Sequence, residues 1–425
     1  MQFSIISLFY AVIVLTVPTV SLLGSTQLAA SLPLLTVLSF CTGRPRWKVG
    51  GAGRFILVAL VLFVAYSTVS TGWSANSVAS LERVVKLSAI ILIGALLCLQ
   101  CSELPNFERG LVRSSLVVAF AALSVVLLAV LVSVLVATRI FAFTYGALEP
   151  HLNELSRFSA VYAQIAVLAA ATFSRGRSGS ILAIFALSLA VLALSQLSNT
   201  TAFIAIVIGA VSFGLAWHLP RTTALLLGIT ILVGIAALPW VDIARFLPLE
   251  ALSHSALHRL AIWEFARDAI AQAPVLGHGL DASRWLPGAQ DLLTGKELGG
   301  RLRELPQWAV LEHAGATNLP LHPHGLVLQL WLELGAIGAG LFATIMLALL
   351  HWIARASIFA RDKAALIGLM ATSFVIASGS YGAWQSWWVS ALFLVAAIGL
   401  LSATVGVRQR DGGRQRSGGH LMGAT

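Results

Sequence analysis

Charge is scarce in this sequence. Only 10% of its 425 residues are Asp, Glu, Lys or Arg, where a soluble domain carries roughly a quarter. That shortage excludes an ordinary water-soluble globular protein. Cysteine is nearly missing too, with only Cys41, Cys98 and Cys101. Cys98 and Cys101 form a CxxC inside an apolar run without the second pair or the histidines that a zinc site requires, so apolar packing is the expectation. His254 and His258 stand one helical turn apart, but Ser255, Ala256 and Leu257 between them supply no glutamate of the HExxH type. No GxSxG elbow, heptad array or internal repeat occurs, which removes the usual signatures of zinc peptidases, α/β hydrolases and solenoids. Neither a metal nor a cofactor is implied.

What is present is apolar: 58% of the chain is hydrophobic. Uncharged runs recur along the whole length, many of them near the roughly 20 residues that cross a bilayer as helix, the form that satisfies every backbone polar group internally. The expected fold is an all-α integral membrane protein of about 12 transmembrane helices, at 3–23, 26–42, 55–73, 84–102, 114–137, 158–174, 180–197, 201–218, 222–241, 333–353, 364–381 and 386–406. The first run lacks a small-residue cleavage site followed by a soluble domain, so it is expected to be a span rather than a signal peptide. Four segments follow: 1–241 with spans one to nine, a large loop at 242–323, the last three spans at 324–406, and a Gly/Arg-rich tail at 407–425 expected to be disordered and cytoplasmic.

Basic residues orient the chain. With a cytoplasmic N-terminus, one set of connections and the tail hold Arg44, Arg46, Lys48, Arg54, Arg109, Arg113, Arg175, Arg177, Arg221, Arg355, Arg361, Lys363, Arg408, Arg410, Arg414 and Arg416, while the opposite short connections hold only Arg83, Lys86, Arg139 and Arg157. The positive-inside rule then places both termini in the cytoplasm and the large loop on the outward face of the membrane. The net charge of +10 is mainly this topology signal. Because the charges are dispersed over many connections, they do not indicate a nucleic-acid partner.

The large loop is long enough to fold on its own. Within it "ALHRLAIWEFARDAIAQAPVLGHGL" predicts an amphipathic helix from about Ser255 to Ala271, stopped by Pro274 and a turn at Gly277 and Gly279. Trp263 stands one turn beyond Arg259. After the loop, "LHPHGLVLQLWLELGAIG" sets His322, Pro323 and His324 at the mouth of an apolar helix. Pro323 is expected to open that helix, leaving His324 at its N-terminal end, where the partial positive charge favours a neutral imidazole and attracts phosphate.

These stretches, with "STGWSANSVASLERVVKL", "SRFSAVYAQIAVLAA" and "YGAWQSWWVSALF", resemble the bacterial O-antigen ligase and polymerase superfamily over most of the chain. The most specific element is the spacing of His324, Gln329, Glu333, Gly335 and Gly338. The chain departs from the family pattern at Gly325, where Asn, Ser or Gln is usual, and at "LSNTTAF", where many members carry an arginine. The resemblance implies a membrane glycosyltransferase that takes its glycan from a polyprenyl-pyrophosphate-linked donor and passes it to a lipid A-core or growing-glycan acceptor at the periplasmic face.

Such a transfer needs cations for the departing diphosphate and a base near the incoming hydroxyl. Guanidinium groups suit the first task, so Arg259 leads as the catalytic clamp, joined by Arg157, with Arg267 and Arg284 behind them. His324 suits the second. His322, Gln329, Glu333 and Trp263 complete the expected substrate-binding set. Gln329 and Glu333 share a helical face, whereas His324 lies about half a turn from Glu333. Gly335, Gly338 and Gly340 are expected to permit close helix packing. Two alternatives stay open: an O-antigen or exopolysaccharide polymerase, which would differ in its acceptor, and a non-enzyme transporter or lipid-linked glycan flippase, which should show ionisable residues near the midplane or paired broken helices.

Overall fold

A computed structural model describes residues 5–40, 49–102, 109–139, 145–175, 178–197, 199–293, 304 and 306–404. Cys41, the basic group of Arg44, Arg46 and Lys48, Arg177, and the 407–425 tail lie outside the described residues. Helices stand on the apolar runs: α1 (Ile5–Gly24), α2 (Leu28–Phe40), α3 (Gly51–Ser70), α4 (Ser77–Ser102), α5 (Arg109–Arg139), α6 (Tyr145–Phe173), α7 (Gly179–Ser195), α8 (Thr200–His218) and α9 (Pro220–Ala237). In the large loop come α10 (His254–Gln272) and α11 (Pro306–His313), and then α12 (Leu326–Arg355), α13 (Ala360–Gly379) and α14 (Ser386–Ser402).

Nine stretches among the described residues are long and apolar enough to cross a membrane, with Ile6–Phe40 counted as one; α7 and α14 are shorter apolar helices. This is a helical multi-pass membrane architecture. Side chains such as Val61, Ile181, Phe185 and Leu225 remain outward and apolar, as lipid-facing surfaces require. The core lies around α6, whose spanning window is 78% buried. α13 packs most extensively on α8. They cross where side chains vanish: a Cβ on Gly209 would stand 2.0 Å from Thr372 Oγ1, and one on Gly368 2.9 Å from Gly209 O.

In the loop, Ser253 caps α10 by accepting the Ala256 N–H at 3.3 Å. The helix ends at Gln272, just before Pro274, as its sequence predicts. It is buried on two flanks rather than one stripe. Ile262, Ala266 and Ile270 pack with Leu328 and Leu332 of α12, while Leu257, Leu260 and Ala261 pack with Trp308 and Leu311 of α11. The loop helix is thereby fixed against the first turns of α12.

α12 is two helices meeting at Gly335, whose φ of 59° and ψ of −162° are not helical. The loop after α10 enters the break. His278 N donates to Leu332 O at 2.9 Å, Gly279 N to Glu333 O at 2.8 Å, and Ala336 N to Pro274 O at 2.9 Å. Tyr66 Oη lies 3.0 Å from Leu276 O and 3.2 Å from Leu334 O. Irregular backbone inside an apolar helix is sustained only where protein satisfies it, and here the loop does so. A Cβ on Gly335 would meet Val275 O at 2.3 Å. Gly335 therefore makes a hinge for loop insertion, a more local task than the helix packing expected of it.

Candidate functional site

α13 runs out at Gly379, leaving its last carbonyls without helical partners. Gly379 O accepts a hydrogen bond from Arg259 Nη1 at 2.9 Å. His324 Nδ1 faces the next carbonyl, Ser380 O, at 3.3 Å. The two leading sequence candidates, one on the loop helix and one before α12, are thus docked on consecutive peptide units. Burial, opposed by the Ser380 contact and aided by the charges of Arg259 and His258, lowers the His324 pKa from its ordinary value. Burial also lowers that of Arg259.

Tyr381 continues the same turn. Its hydroxyl donates to Ser156 O at 2.8 Å, and its ring stands edge-on to Trp387 at 4.7 Å. The Arg157 guanidinium lies over the Trp387 ring, 5.9 Å from its centroid. Burial pushes the Tyr381 hydroxyl up to about 12, against the pull of its hydrogen bonds with Ser156 and Asn199 and of the charges on Arg157 and Arg259. The charges of both arginines thus converge on one buried phenol. In "LSNTTAF", the stretch without the family's arginine, Asn199 caps α8 through the Ala202 N–H at 3.0 Å. Its amide nitrogen reaches Ser156 O at 2.8 Å and Ser159 Oγ at 2.9 Å.

His322 lies against His324 with ring centroids 4.3 Å apart and the ring planes tilted by 56°. Its Nδ1 accepts the His324 backbone N–H at 3.1 Å, and Nε2 meets the Gln385 side-chain amide at 3.0 Å. Burial first, then the charges of His324, Arg284 and Arg259, push the His322 pKa down to about 3. Trp263 Nε1 donates to Pro323 O at 2.8 Å, clamping the turn that carries both rings. That turn corrects one expectation: α12 begins at Leu326 with Gly325 as its N-cap, so Pro323 does not open the helix. His324 sits ahead of it in the left-handed region at φ 52°. Its neutrality comes from burial and neighbouring cations.

Gln329 and Glu333 face the protein interior. The Glu333 carboxylate, fully buried, accepts from Gln329 Nε2 at 3.0 Å, Ser283 Oγ, the Asp281 N–H and Trp384 Nε1. Gln329 Oε1 in turn accepts the Ala383 N–H at 2.7 Å. This network ties α12 to the loop at 281–283 and to the turn that displays Tyr381 and Gln385. Arg267 is engaged elsewhere, on Val241 O at 2.7 Å and Asp242 at 3.5 Å. Arg284 lies 3.9 Å from Asp281 and reaches His322 only through its charge.

Arg259, His322, His324 and Arg157 are thus brought to the segment 379–387, with Trp263 behind them and Gln329 and Glu333 beneath. Arg267 is not brought there. Sequence reasoning assigned no role to Tyr381, Gln385 or Asn199. The polar and aromatic crowding of "SYGAWQSWW" between two apolar runs was the available signal. Among the described residues, no group of three or more His, Cys, Asp or Glu side chains is arranged to hold a metal ion.

Residues 163–343 match the family model described as O-Antigen ligase. Proteins named "Putative polysaccharide ligase" are similar to the chain. The one from Rickettsia typhi is 29% identical over 240 residues, 54% of each chain. That from Rickettsia prowazekii is 30% identical over 228 residues, 51% of each. The chain therefore spans about half the length of these relatives in the matched region. A Rickettsia felis protein of that name is 25% identical over 420 residues, covering 92% of this chain and 95% of its own.

Proposed function

Because this chain belongs to the O-antigen ligase superfamily, we propose that it moves a glycan from a polyprenyl pyrophosphate to an acceptor hydroxyl at the periplasmic face of a bacterial inner membrane. In this reading the apolar helices make twelve crossings with both termini in the cytoplasm. A lipid A-core is the preferred acceptor. The observation that carries the reading is the docking of Arg259 and His324 on the adjacent carbonyls of Gly379 and Ser380.

The chemistry follows from that juxtaposition. When Nδ1 of His324 donates to Ser380 O, the proton is fixed there and Nε2 keeps its lone pair. The acceptor oxygen attacks the anomeric carbon of the donor sugar, and its proton passes to Nε2. The bond from that carbon to the phosphate oxygen breaks, releasing polyprenyl diphosphate. Arg259, with Arg157 beside it, offsets the charge gathering on the leaving group. Gln329 and Glu333 act as positioning residues by fixing the turn at 381–385, and Trp263 by fixing Pro323.

His324→Ala should insert normally and lose about 10²–10⁴-fold in transfer, the range for removing a general base. Purified protein with lipid-linked glycan and a lipid A-core acceptor measures it; undiminished transfer would remove His324 as the base. Deleting the gene tests the acceptor. Unattached but fully polymerised chains support the ligase reading, whereas single repeat units on lipid A-core indicate a polymerase.

A further inference from the structure

A second charged recess opens where the start of α4 meets the loop at 281–285. Ser80 and Leu280 join the two parts: Ser80 Oγ donates to Leu280 O, and the Leu280 N–H donates to Ser70 Oγ at 3.2 Å. Glu82, Arg83, Lys86, Asp281, Arg284 and Trp285 line a cavity of about 130 Å³. Arg83 and Lys86 are among the few basic residues on the sparsely basic side of the chain, so the topology rule does not account for them.

One carboxylate is shared between two guanidiniums. Asp281 Oδ2 lies 3.4 Å from Arg83 Nε and Oδ1 lies 3.9 Å from Arg284 Nη2. Neither contact is a short hydrogen bond, and the Nε atoms of Arg83 and Arg284 are shielded from solvent without a hydrogen-bond partner. Lys86 pairs with Glu82 on the rim. Trp285 leaves 45% of its surface open. Three cations against two carboxylates leave one positive charge unmatched, enough for a single anionic group but not for the several charges of a diphosphate, so this recess suits a different ligand from the turn at Arg259, whose contacts above include no carboxylate. Asp281 and Glu82 can accept sugar hydroxyls, the indole offers a flat face to a pyranose ring, and the guanidiniums have capacity for one added negative group.

We propose that this recess binds an anionic saccharide, a sugar bearing a phosphate or carboxylate, and that it docks the acceptor glycan for the transfer inferred above, on which this second part rests. The binding claim is tested without catalysis. Saturation-transfer NMR on the purified full chain in nanodiscs compares glucose 6-phosphate and glucuronate with glucose and inorganic phosphate. The charged sugars should bind about tenfold more tightly than glucose or phosphate alone, and Arg83→Ala/Lys86→Ala should lose about tenfold, the loss expected for one charge-assisted contact. Trp285→Ala should weaken both charged sugars and glucose. Equal binding of glucose and the charged sugars, or full competition by phosphate, overturns the proposal, as does unchanged affinity in both variants. In transfer assays, Arg83→Ala should raise the KM for a phosphorylated acceptor about tenfold while leaving the donor KM and the use of a dephosphorylated acceptor unchanged. An unchanged acceptor KM overturns the docking role. Failure of the His324→Ala experiment strikes the transfer reading and leaves the binding result standing.

Discussion

His322 is held through both ring nitrogens: Nδ1 accepts the His324 backbone N–H at 3.1 Å, and Nε2 lies 3.0 Å from the Gln385 side-chain amide nitrogen. The ring also crowds Gly382, where an added Cβ would stand 2.7 Å from His322 Cδ2 and 2.9 Å from Cγ. Gly382→Ala should therefore displace the histidine pair, cutting transfer at least about tenfold while the melting temperature moves little. A variant of full activity would separate this ring from the reaction. The depressed pKa of about 3 has a sign that can be worked out. The folded state holds His322 neutral while the unfolded state takes up a proton below its ordinary value near 6.5. Stability is thus complete above that value and declines as pH falls towards about 3. At pH 5 the loss should be about 2 kcal/mol, and His322→Phe should flatten that acid limb in melting curves taken in detergent. Both histidines and Arg259 were legible in the sequence, because rare charged or titratable side chains beside apolar runs need a reason. Tyr381 and Gln385 were not legible, since an aromatic and an amide near a membrane surface are ordinary until the turn that presents them is known.

At the scale of elements, α12 shows where periodicity gives out. Hydropathy predicts a span at 333–353, yet the helix starts at Leu326, seven residues earlier, and restarts after Gly335. The first segment is packed against α10 through Leu328 and Leu332, a contact made across the fold that local pattern does not encode. Pro274, Gly277 and Gly279 marked a turn in the sequence, but not that its backbone would fill the break in another helix. Gly335→Ala should cost about 2–4 kcal/mol, because φ of 59° strains a side chain and the new methyl would strike Val275 O. Thermal unfolding of the purified protein checks it. Glu333→Gln tests the neighbouring network differently. One carboxylate oxygen becomes an amide nitrogen facing donors, including the Asp281 N–H and Trp384 Nε1. About 2–3 kcal/mol should be lost, with the KM of both substrates changing less than kcat, as befits a group that holds the turn without touching substrate.

Across the whole molecule, the two ends of the bundle are built from different chemistry. At one end Arg109 is buried and donates to Leu401 O at 3.2 Å and Ala403 O at 2.7 Å, Arg113 donates to Ser402 O at 3.0 Å, and Arg175 pairs with Asp362. Three guanidiniums thus gather on the C-terminal carbonyls of α14, where the helix dipole favours cations. These residues were read from sequence as topology signals, and the structure gives them a second role as a helix cap. The opposite end gathers Arg259, the histidine pair and the Arg83 recess around the large loop. Charge asymmetry was legible because it is a property of composition along the chain; the cap was not, because it joins α5, α13 and α14, with Arg109 and Ala403 separated by 294 positions. The partition makes the orientation testable. In a cysteine-free background, Ser255→Cys on the exposed start of α10 should react with a membrane-impermeant maleimide added outside spheroplasts, whereas Ser357→Cys, exposed beyond α12, should react only after permeabilisation. The reverse pattern would turn the whole bundle over, moving the histidine turn to the cytoplasm and separating it from any acceptor on the periplasmic face. Labelling of both positions from outside would instead mean that an odd number of crossings does not separate them, contrary to the single passage of α12 on which the twelve-span topology depends.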